Sequence, residues 1–596
     1  MASGSLIPRV YSGFRGVDFR GEEINLIRSP DALNMWKDYK KTDSISTRPE
    51  MFRPWSDYGA TIYGIYCYQK KGSYIQRLIL HVGDKLMDEA SRVICEVAAR
   101  KSSAFIQNDM WYFKDGTNYL QYDGTTIKEV EGYVPTTLIN RNISKDGIPG
   151  SGGATKQDVN MLSPYRWNTF IWDGSDDVDE CHLDATNVVS VEEIKLFENG
   201  KWVGVSNSVY QLDNANGIVR FTSRVLDSAK TPEGIECVQI KYKVDNTDER
   251  KKIDNCTLLQ VFDNRVFFSG NPYYPNVVWH SSLNDPTYCS DLDRYNDGTD
   301  SSRVMAMVAG NEALWVFKEP SQENTTVFYH RPTIDAEYGK VYPSSHSSIA
   351  TGCVGRAINF NDDIVFFSER GMEAVSGDIT TEQFLSHRSS LVDRKLTSES
   401  DYRSMVLAEW EGYLFVFIGN KVFLADSRAM FQNETHNEYE WFYWELPGNV
   451  TCANVFDYEF NDKVDTRLWV AMDNELWVFS LEDLGWPEHS REGDRTSYWV
   501  TPKDKFGYPQ YLKTTNKRGC AVEATGEEIS VYAKTEKDGG FTDDTFIGKY
   551  ENVTDYFISR IKRKKFKDIQ LKFASNKPFS LEMATLECFI GGYIKR

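Results

Sequence analysis

The sequence predicts an all-β protein centred on a β-propeller of six to eight blades, with seven the preferred number, and three observations carry that expectation. First, one phrase returns seven times: an aliphatic and aromatic run, a turn of Asn, Asp or Gly, then in most copies a second run. The copies are YIQRLILHVGDKLM (74–87), NDMWYFKDGTNYLQYDG (108–124), DNRVFFSGN (263–271), GNEALWVFKEP (310–320), NDDIVFFSERGMEAVSG (361–377), EGYLFVFIGNKVFLADS (411–427) and DNELWVFS (473–480). Apart from one long gap, their starts lie 34 to 62 residues apart, which brackets the ~40–50-residue period of a propeller blade. Second, both side-chain sets of these strands are apolar: Leu414, Val416 and Ile418 alternate with Phe415 and Phe417. Both faces then need cover, which blades stacked around an axis provide and an open sheet does not. Third, helix signals are few, confined to 31–40 and 381–389. The blade count spans a range because two copies can share a blade and the amino-terminal segment can add a strand.

In chain order, residues 1–55 form a leader, GFRGVDFRGEEINLIRSPDALNMWKDYKK and STRPEM. Ser29-Pro30-Asp31 can cap a short helix carrying Leu33, Met35 and Trp36, and Arg48-Pro49 returns the chain to an extended path, so the leader is expected to lie across the propeller and donate a closing strand. Residues 56–131 form the first part of the propeller and 256–490 the second. The gap between them, 132–255, is an insertion. It opens on the Gly-rich GIPGSGGATKQDV, expected to be a flexible loop, and continues as VEEIKLFENGKWVGV, VYQLDNANGIVRFTS and ECVQIKYKV. Asn199-Gly200 and Asn216-Gly217 are hairpin signals between alternating strands, so a small inserted β-sandwich is expected. Residues 491–596 form a C-terminal β-domain with strands at EISVYAKTE, YFISRIKRKKFKDIQLKFAS and FSLEMATLECFIGGYI.

Composition narrows the function. With 68 Lys and Arg against 87 Asp and Glu, the formal charge is −19, which disfavours gripping nucleic acid, because phosphate binding is dominated by positive charge. No apolar run approaches the length of a membrane helix and MASGSLIPRVYSGFRG has no signal-peptide core, so synthesis and folding in a cytoplasm are expected. The ten Cys lack any C-x-x-C pair and are read as reduced, buried residues. The eight His have no metal-binding spacing, no phosphate-binding G-x-x-x-x-G-K-[ST] loop occurs, and no nucleophile and base can be paired, so no enzyme activity, metal or cofactor is expected. DGSDDVDE (173–180) and DLDRYNDGTD (291–300) offer clustered oxygens but fail the calcium-loop template at its Gly and Glu positions, and are read as solvated loops. KDGGFTDD (537–544) reads as a hairpin turn of the kind found in sialidase-type propellers. The sharpest charge feature is SRIKRKKFKD, which gathers Arg560, Lys562, Arg563, Lys564, Lys565 and Lys567. Two readings apply to it: an edge strand guarded from aggregation by Lys, or a docking strip for an acidic neighbour. Without an aromatic stacking platform, nucleic-acid contact is the weaker alternative.

Several phrases together resemble the tail accessory and nozzle proteins of short-tailed double-stranded-DNA bacteriophages. They are the leader GVDFRG, RSPDALNMWKDYK and STRPEM; VNMLSPYRWNTFIWDGS (159–175); VFFSGNPYYPNVVWHSSLNDPTYCS (266–290) with MAMVAGNEALWVFKEPS (305–321); and the ending VYAKTEKDGGFTDD with GKYENVTDYFISRIKRKKF. The resemblance implies a structural virion protein made in the bacterial cytoplasm. It would form a homo-oligomeric ring, usually a hexamer, below the portal and adaptor proteins, contact tail-fibre or tail-tip proteins, and extend the channel through which double-stranded DNA passes. No catalytic residues carry over. An acidic lumen would repel DNA phosphates and let the genome slide. Two alternatives come from other classes: a propeller that binds or cleaves carbohydrate at the tail tip, marked by paired carboxylates in an aromatic pocket, and a cytoplasmic scaffold propeller.

Overall fold

Seven four-stranded sheets, each antiparallel, succeed one another along the chain, and the computed structural model describes residues 6–593 apart from 22–24, 40–43, 74–75, 223, 233, 300, 337–338, 377–383, 433–436, 461–462 and 482–489. Blade 1 is Ile62–Gln69, Gln76–Val82, Lys85–Asp88 and Val93–Glu96; blade 2 is Ser103–Gln107, Met110–Lys114, Tyr119–Tyr122 and Ile127–Glu129. Blade 3 is Leu258–Phe262, Arg265–Ser269, Val277–His280 and Arg294–Asn296; blade 4 is Val304–Gly310, Ala313–Lys318, Val327–His330 and Ser344–His346. Blade 5 is Ala357–Phe360, Asp363–Ser368, Gly371–Ser376 and Phe384–His387; blade 6 is Val406–Trp410, Tyr413–Ile418, Lys421–Gln432 and Asn437–Glu445. Blade 7 takes Val450–Phe460, Lys463–Met472 and Glu475–Ser480 from the end of the propeller and its fourth strand, Glu50–Phe52, from the leader, with Phe52 opposite Val478. The chain is thus a seven-bladed β-propeller closed by its own leader.

The seams between blades explain why both faces of each strand are apolar. Blades 7 and 1 share Trp469, Val478, Ile65 and Leu80; blades 1 and 2 share Tyr68, Ile79, Trp111 and Phe113. Blades 2 and 3 meet through Tyr119, Phe268 and Trp279, blades 3 and 4 through Phe267, Val278 and Leu314, and blades 4 and 5 through Phe317 and Phe366. One larger core joins blades 5, 6 and 7 to the leader and the C-terminal domain. Each of the seven repeated phrases falls in its own blade. In blades 2 to 6 its turn joins the first strand to the second, and both central residues can be left-handed, as at Asp263 (φ 50) and Asn264 (φ 58). The blade 1 copy lacks that leading turn but covers the second and third strands, as the copies in blades 2, 5 and 6 do, whereas the blade 7 copy covers the turn into the third strand and is one hairpin out of phase.

Between blades 2 and 3 the insertion forms a six-stranded and a three-stranded sheet around Phe170, Val219, Val238, Ile240 and Tyr242, and helix Thr247–Asp254 returns the chain to the propeller. Asn199 (φ 48) and Gly200 (φ 80) make the expected tight turn. The Gly-rich stretch expected as a flexible loop contributes an edge strand, Gly152–Thr155, paired with Thr136–Asn142.

The C-terminal domain is organised by a 25-residue strand, Tyr511–Thr535, paired with Phe579–Tyr593 and Ile569–Ser575. Leader strand Leu6–Ser12 pairs with Phe579–Tyr593 from Phe589 to Met583, and Ile45–Thr47 joins the same strand. The leader therefore belongs to two units: it completes the C-terminal sheet and then blade 7. It runs so close to blade 6 that a Cβ on Gly16 would lie 2.2 Å from the Trp441 carbonyl oxygen, which only glycine avoids. Two bidentate ion pairs hold it. Arg28 donates to Glu440 at 2.9 and 2.6 Å, and the buried Arg48 donates to Glu492 at 2.8 and 2.7 Å, with Arg495 donating to the same carboxylate at 2.9 Å.

The helix expected at 31–40 is not formed. Asn34 is left-handed (φ 56), Leu33 bridges Tyr498, Met35–Trp36 pairs with Ile45–Thr47, and Trp36 is buried against Tyr413 and Trp444; Lys40 lies outside the described residues. Strand pairing with both Met35 and Trp36 buried overrides the local helix signal there. The second helix expected, 381–389, is also replaced: Phe384–His387 is the outer strand of blade 5, paired with Gly371–Ser376, while 381–383 lie outside the described residues.

Two predictions follow from these anchors. Removing one partner of a buried ion pair strands the other's charge, so Arg48→Ala is expected to lower unfolding stability by about 3–5 kcal/mol in urea titrations. In blade 5, His387 donates from one ring nitrogen to Asp393 at 2.6 Å and lies 3.1 Å from Glu373 through the other. Burial opposes its charge, but hydrogen bonds to Asp393 and Glu373 outweigh that and raise its pKa from 6.5 to about 10. Because the folded state binds this proton more tightly, its stabilisation is complete below pH 6.5 and is lost as pH rises through about 10. Stability should therefore fall across that window, and His387→Gln should flatten the fall in pH-dependent melting curves.

Candidate docking surface

The basic strip sits on one edge of the C-terminal sheet. Tyr556–Ser559 pairs with residues 520–523 of the long strand, and Lys564–Phe566 pairs with Lys513 and Thr514. Ile561, between these strands, and Phe566, at the end of the second, are fully buried. The residues around them must then face out: Arg560, Lys562, Lys564, Lys565 and Lys567 are exposed and Arg563 is half-buried. Thr515 fixes the turn, its hydroxyl donating to the Ile561 carbonyl at 2.7 Å and accepting from the Arg563 amide at 2.9 Å. The Arg563 guanidinium donates to the Asp544 carbonyl oxygen at 2.9 Å, while its buried Nε lacks a hydrogen-bond partner. Among the described residues no carboxylate forms an ion pair with any of these six cations.

Two further cations join them. The long strand shifts register between Thr515 and Cys520, extruding Asn516 to Gly519, so that Lys517 and Arg518 are exposed beside the strip. Gly519 (φ 95) is required because a Cβ there would lie 2.3 Å from the Ser559 carbonyl oxygen. These two were not singled out in the sequence; the Asn-Lys-Arg-Gly turn was the signal available. The result is a groove of about 710 Å³ lined by Lys517, Arg518, Arg560, Lys562, Arg563 and Lys564, together with the exposed apolar side chains of Ile558 and Phe589. One carboxylate, Glu587, approaches, accepting from the Asn516 side chain at 2.6 Å. A cationic groove with an apolar floor can take an acidic partner that also buries hydrophobic surface.

Other residues weighed for chemistry have structural partners. In the first acidic stretch Asp176 and Asp177 pair with Lys230 and Lys145, and buried Glu180 with Arg220. In the second, Asp291 pairs with Lys252, and Asp297 accepts from His330 at 3.0 Å. Burial drops the pKa of His280 to about 4, leaving it a neutral core residue. His436 and His489 lie outside the described residues. The ten Cys are free, and 537–544 joins the antiparallel strands Tyr511–Thr535 and Phe546–Val553, as a hairpin turn does. No group of three His, Cys, Asp or Glu side chains placed to hold a metal is found among the described residues, and none of their helices is long and apolar enough to cross a membrane.

No family model and no curated protein matches the chain. Solved structures that resemble it are themselves distant. YCF48 bound to a D1 peptide is 7% identical with a TM-score of 0.32, over 74% of this chain and 98% of that one. The exo-β-1,3-galactanase of Phanerochaete chrysosporium with galactose is 11% identical with a TM-score of 0.19, over 55% and 95%. Hsv2 of Kluyveromyces lactis is 10% identical with a TM-score of 0.24, over 67% and 91%. None of them bears on function, and the seven blades rest on the strand pairing itself.

Exposed cations without partners contribute little to folding, whereas the side chains beneath them do. Lys562→Glu, Lys564→Glu and Lys565→Glu should each change unfolding free energy by less than about 0.5 kcal/mol. Phe566→Ala should cost about 3–5 kcal/mol in the same denaturation assay.

Proposed function

We infer that the chain is an architectural subunit whose C-terminal basic edge docks an acidic surface of a second copy, so that copies close into a ring of a bacteriophage tail below the portal and adaptor proteins. The observation that carries this reading is the unpaired cationic groove with exposed Ile558 and Phe589 on a chain of net charge −19. Cations left without internal partners on an acidic protein attract another acidic surface, and an apolar floor beside them gives contact energy that charge alone does not. A head-to-tail contact of this kind joins different patches of successive copies, which closes into a ring when the rotation permits. The tail setting is supported by the resemblance of the leader, mid-propeller and C-terminal phrases to tail accessory and nozzle proteins. In that setting the acidic balance acts on DNA: a lumen rich in Asp and Glu repels phosphates and lets the genome pass during ejection.

Native mass spectrometry and negative-stain microscopy of the purified full chain test the reading. An annulus of uniform copy number is expected at low salt, and reversal of Lys562 and Lys564 to Glu should shift it to monomers while the melting temperature holds. A wild-type chain that stays monomeric at every protein concentration and salt would overturn it.

A further inference from the structure

A second group of cations outside the docking groove, three of them without a carboxylate partner, converges at the innermost strands of the propeller. A cavity of about 650 Å³ opens where the chain enters the innermost strands of blades 2 to 6, with walls added by the loops Gly116-Thr117 of blade 2 and Gly270 to Pro275 of blade 3. Arg100 and Lys101 enter it from blade 2, Arg303 from blade 4, Arg356 from blade 5 and Arg403 from blade 6. No carboxylate is among its described lining residues. The Lys101 ammonium donates to the Ser404 carbonyl oxygen at 3.2 Å, linking blade 2 to blade 6 across the cavity. Outside the lining, Glu319 accepts from Arg303 at 2.9 Å and Glu369 from Arg403 at 3.1 Å. Arg100, Lys101 and Arg356 have no carboxylate partner among the described residues.

Convergence of like charges in a concave, protein-walled space is unfavourable unless an anion offsets it, and this protein has acidic residues in excess with which it could have done so. Burial depresses the pKa of Arg356, and burial together with the Arg356 charge depresses that of Lys101. Lys101 is exposed and Arg356 half-buried, so both remain open to a ligand from solvent. The remaining polar lining, Thr117, Asn255, Thr257, Asn271 and Ser404, carries no charge to offset them, while Leu258, Met305 and Tyr273 provide apolar and aromatic wall. We propose that the axial cavity of the propeller binds a small multivalent oxoanion, a phosphorylated or polycarboxylate ligand, with Arg356 and Lys101 as its principal ligands and Arg100 at the rim. The guanidinium forks of Arg100 and Arg356 suit bidentate contact with oxoanions, and Lys101 adds a point charge between blades. A volume of this size admits a small molecule and excludes a duplex. This site is separate from the docking groove and does not depend on ring formation.

Isothermal titration of the full chain at physiological ionic strength, with inorganic pyrophosphate, inorganic phosphate and citrate as separate probes, tests the proposal. Saturable binding is expected for pyrophosphate, citrate or both, with preference between them identifying the phosphoryl or carboxylate source. Arg356→Ala and Lys101→Ala should each weaken it about tenfold or more, and Lys201→Ala on the insertion should not. If Arg356→Ala does not fold, Arg356→Gln with Lys101→Ala serves, and the melting temperature of the wild type should rise with pyrophosphate concentration while that of the variant does not. Absence of saturable binding to all three anions at millimolar concentration, or binding undiminished by the cavity variants, would overturn it.

Discussion

Closure of the propeller by Glu50–Phe52 is the constraint on which the other parts rest. Blade 7 takes three strands from the end of the propeller and the fourth from the leader, so the ring shuts only when residues far apart in sequence pair. Shutting it removes the open edges that a seven-sheet array would otherwise present at its two ends. The Arg48 guanidinium, clamped on Glu492 beside the closing strand, fixes where that strand enters. Upstream, the same leader is threaded past Trp441 and paired into the C-terminal sheet. Ring closure and seating of the C-terminal domain are therefore one structural event, and the core shared by blades 5 to 7, the leader and that domain is its physical expression.

Charge is distributed against the average of the chain. Many cations are matched by carboxylates, as the buried Lys318 is by Glu323 and the exposed Lys549 by Glu528. Two concave places bring several cations without carboxylate partners together, the edge groove of the C-terminal domain and, with Arg100, Lys101 and Arg356, the axial cavity, and the two differ in kind. The groove is built by a turn between two edge strands together with a register shift in the strand they pair with, and it lies open beside apolar side chains. The cavity is built by chain segments from successive blades that meet only because the ring closes. An extended, partly apolar groove suits another protein surface; a walled cavity suits a small ligand.

The blade phrases were legible because their signal is local. Paired apolar runs around a turn that admits left-handed residues specify a hairpin wherever they occur, and repetition at one period specifies stacking. The leader was legible only in part. Its closing strand followed from Arg48-Pro49, but the helix read at 31–40 failed because burial of Trp36 against Tyr413 and Trp444 outweighs a weak capping signal. The strip from Arg560 to Lys567 stood out as a run of charge, whereas Lys517 and Arg518, which complete its groove, lie more than forty residues upstream and reach it through a register shift.

Taken alone, the sequence determined the class of fold, the place of the insertion, the acidic balance and the basic strip, because periodicity, turn chemistry and net charge are properties of neighbours along the chain. Tertiary structure alone decided the blade count, the double membership of the leader and the axial cluster of Arg100, Lys101, Arg303, Arg356 and Arg403. Each of those cations is an unremarkable surface residue in its own segment. Only closure of the ring brings them within reach of a single ligand.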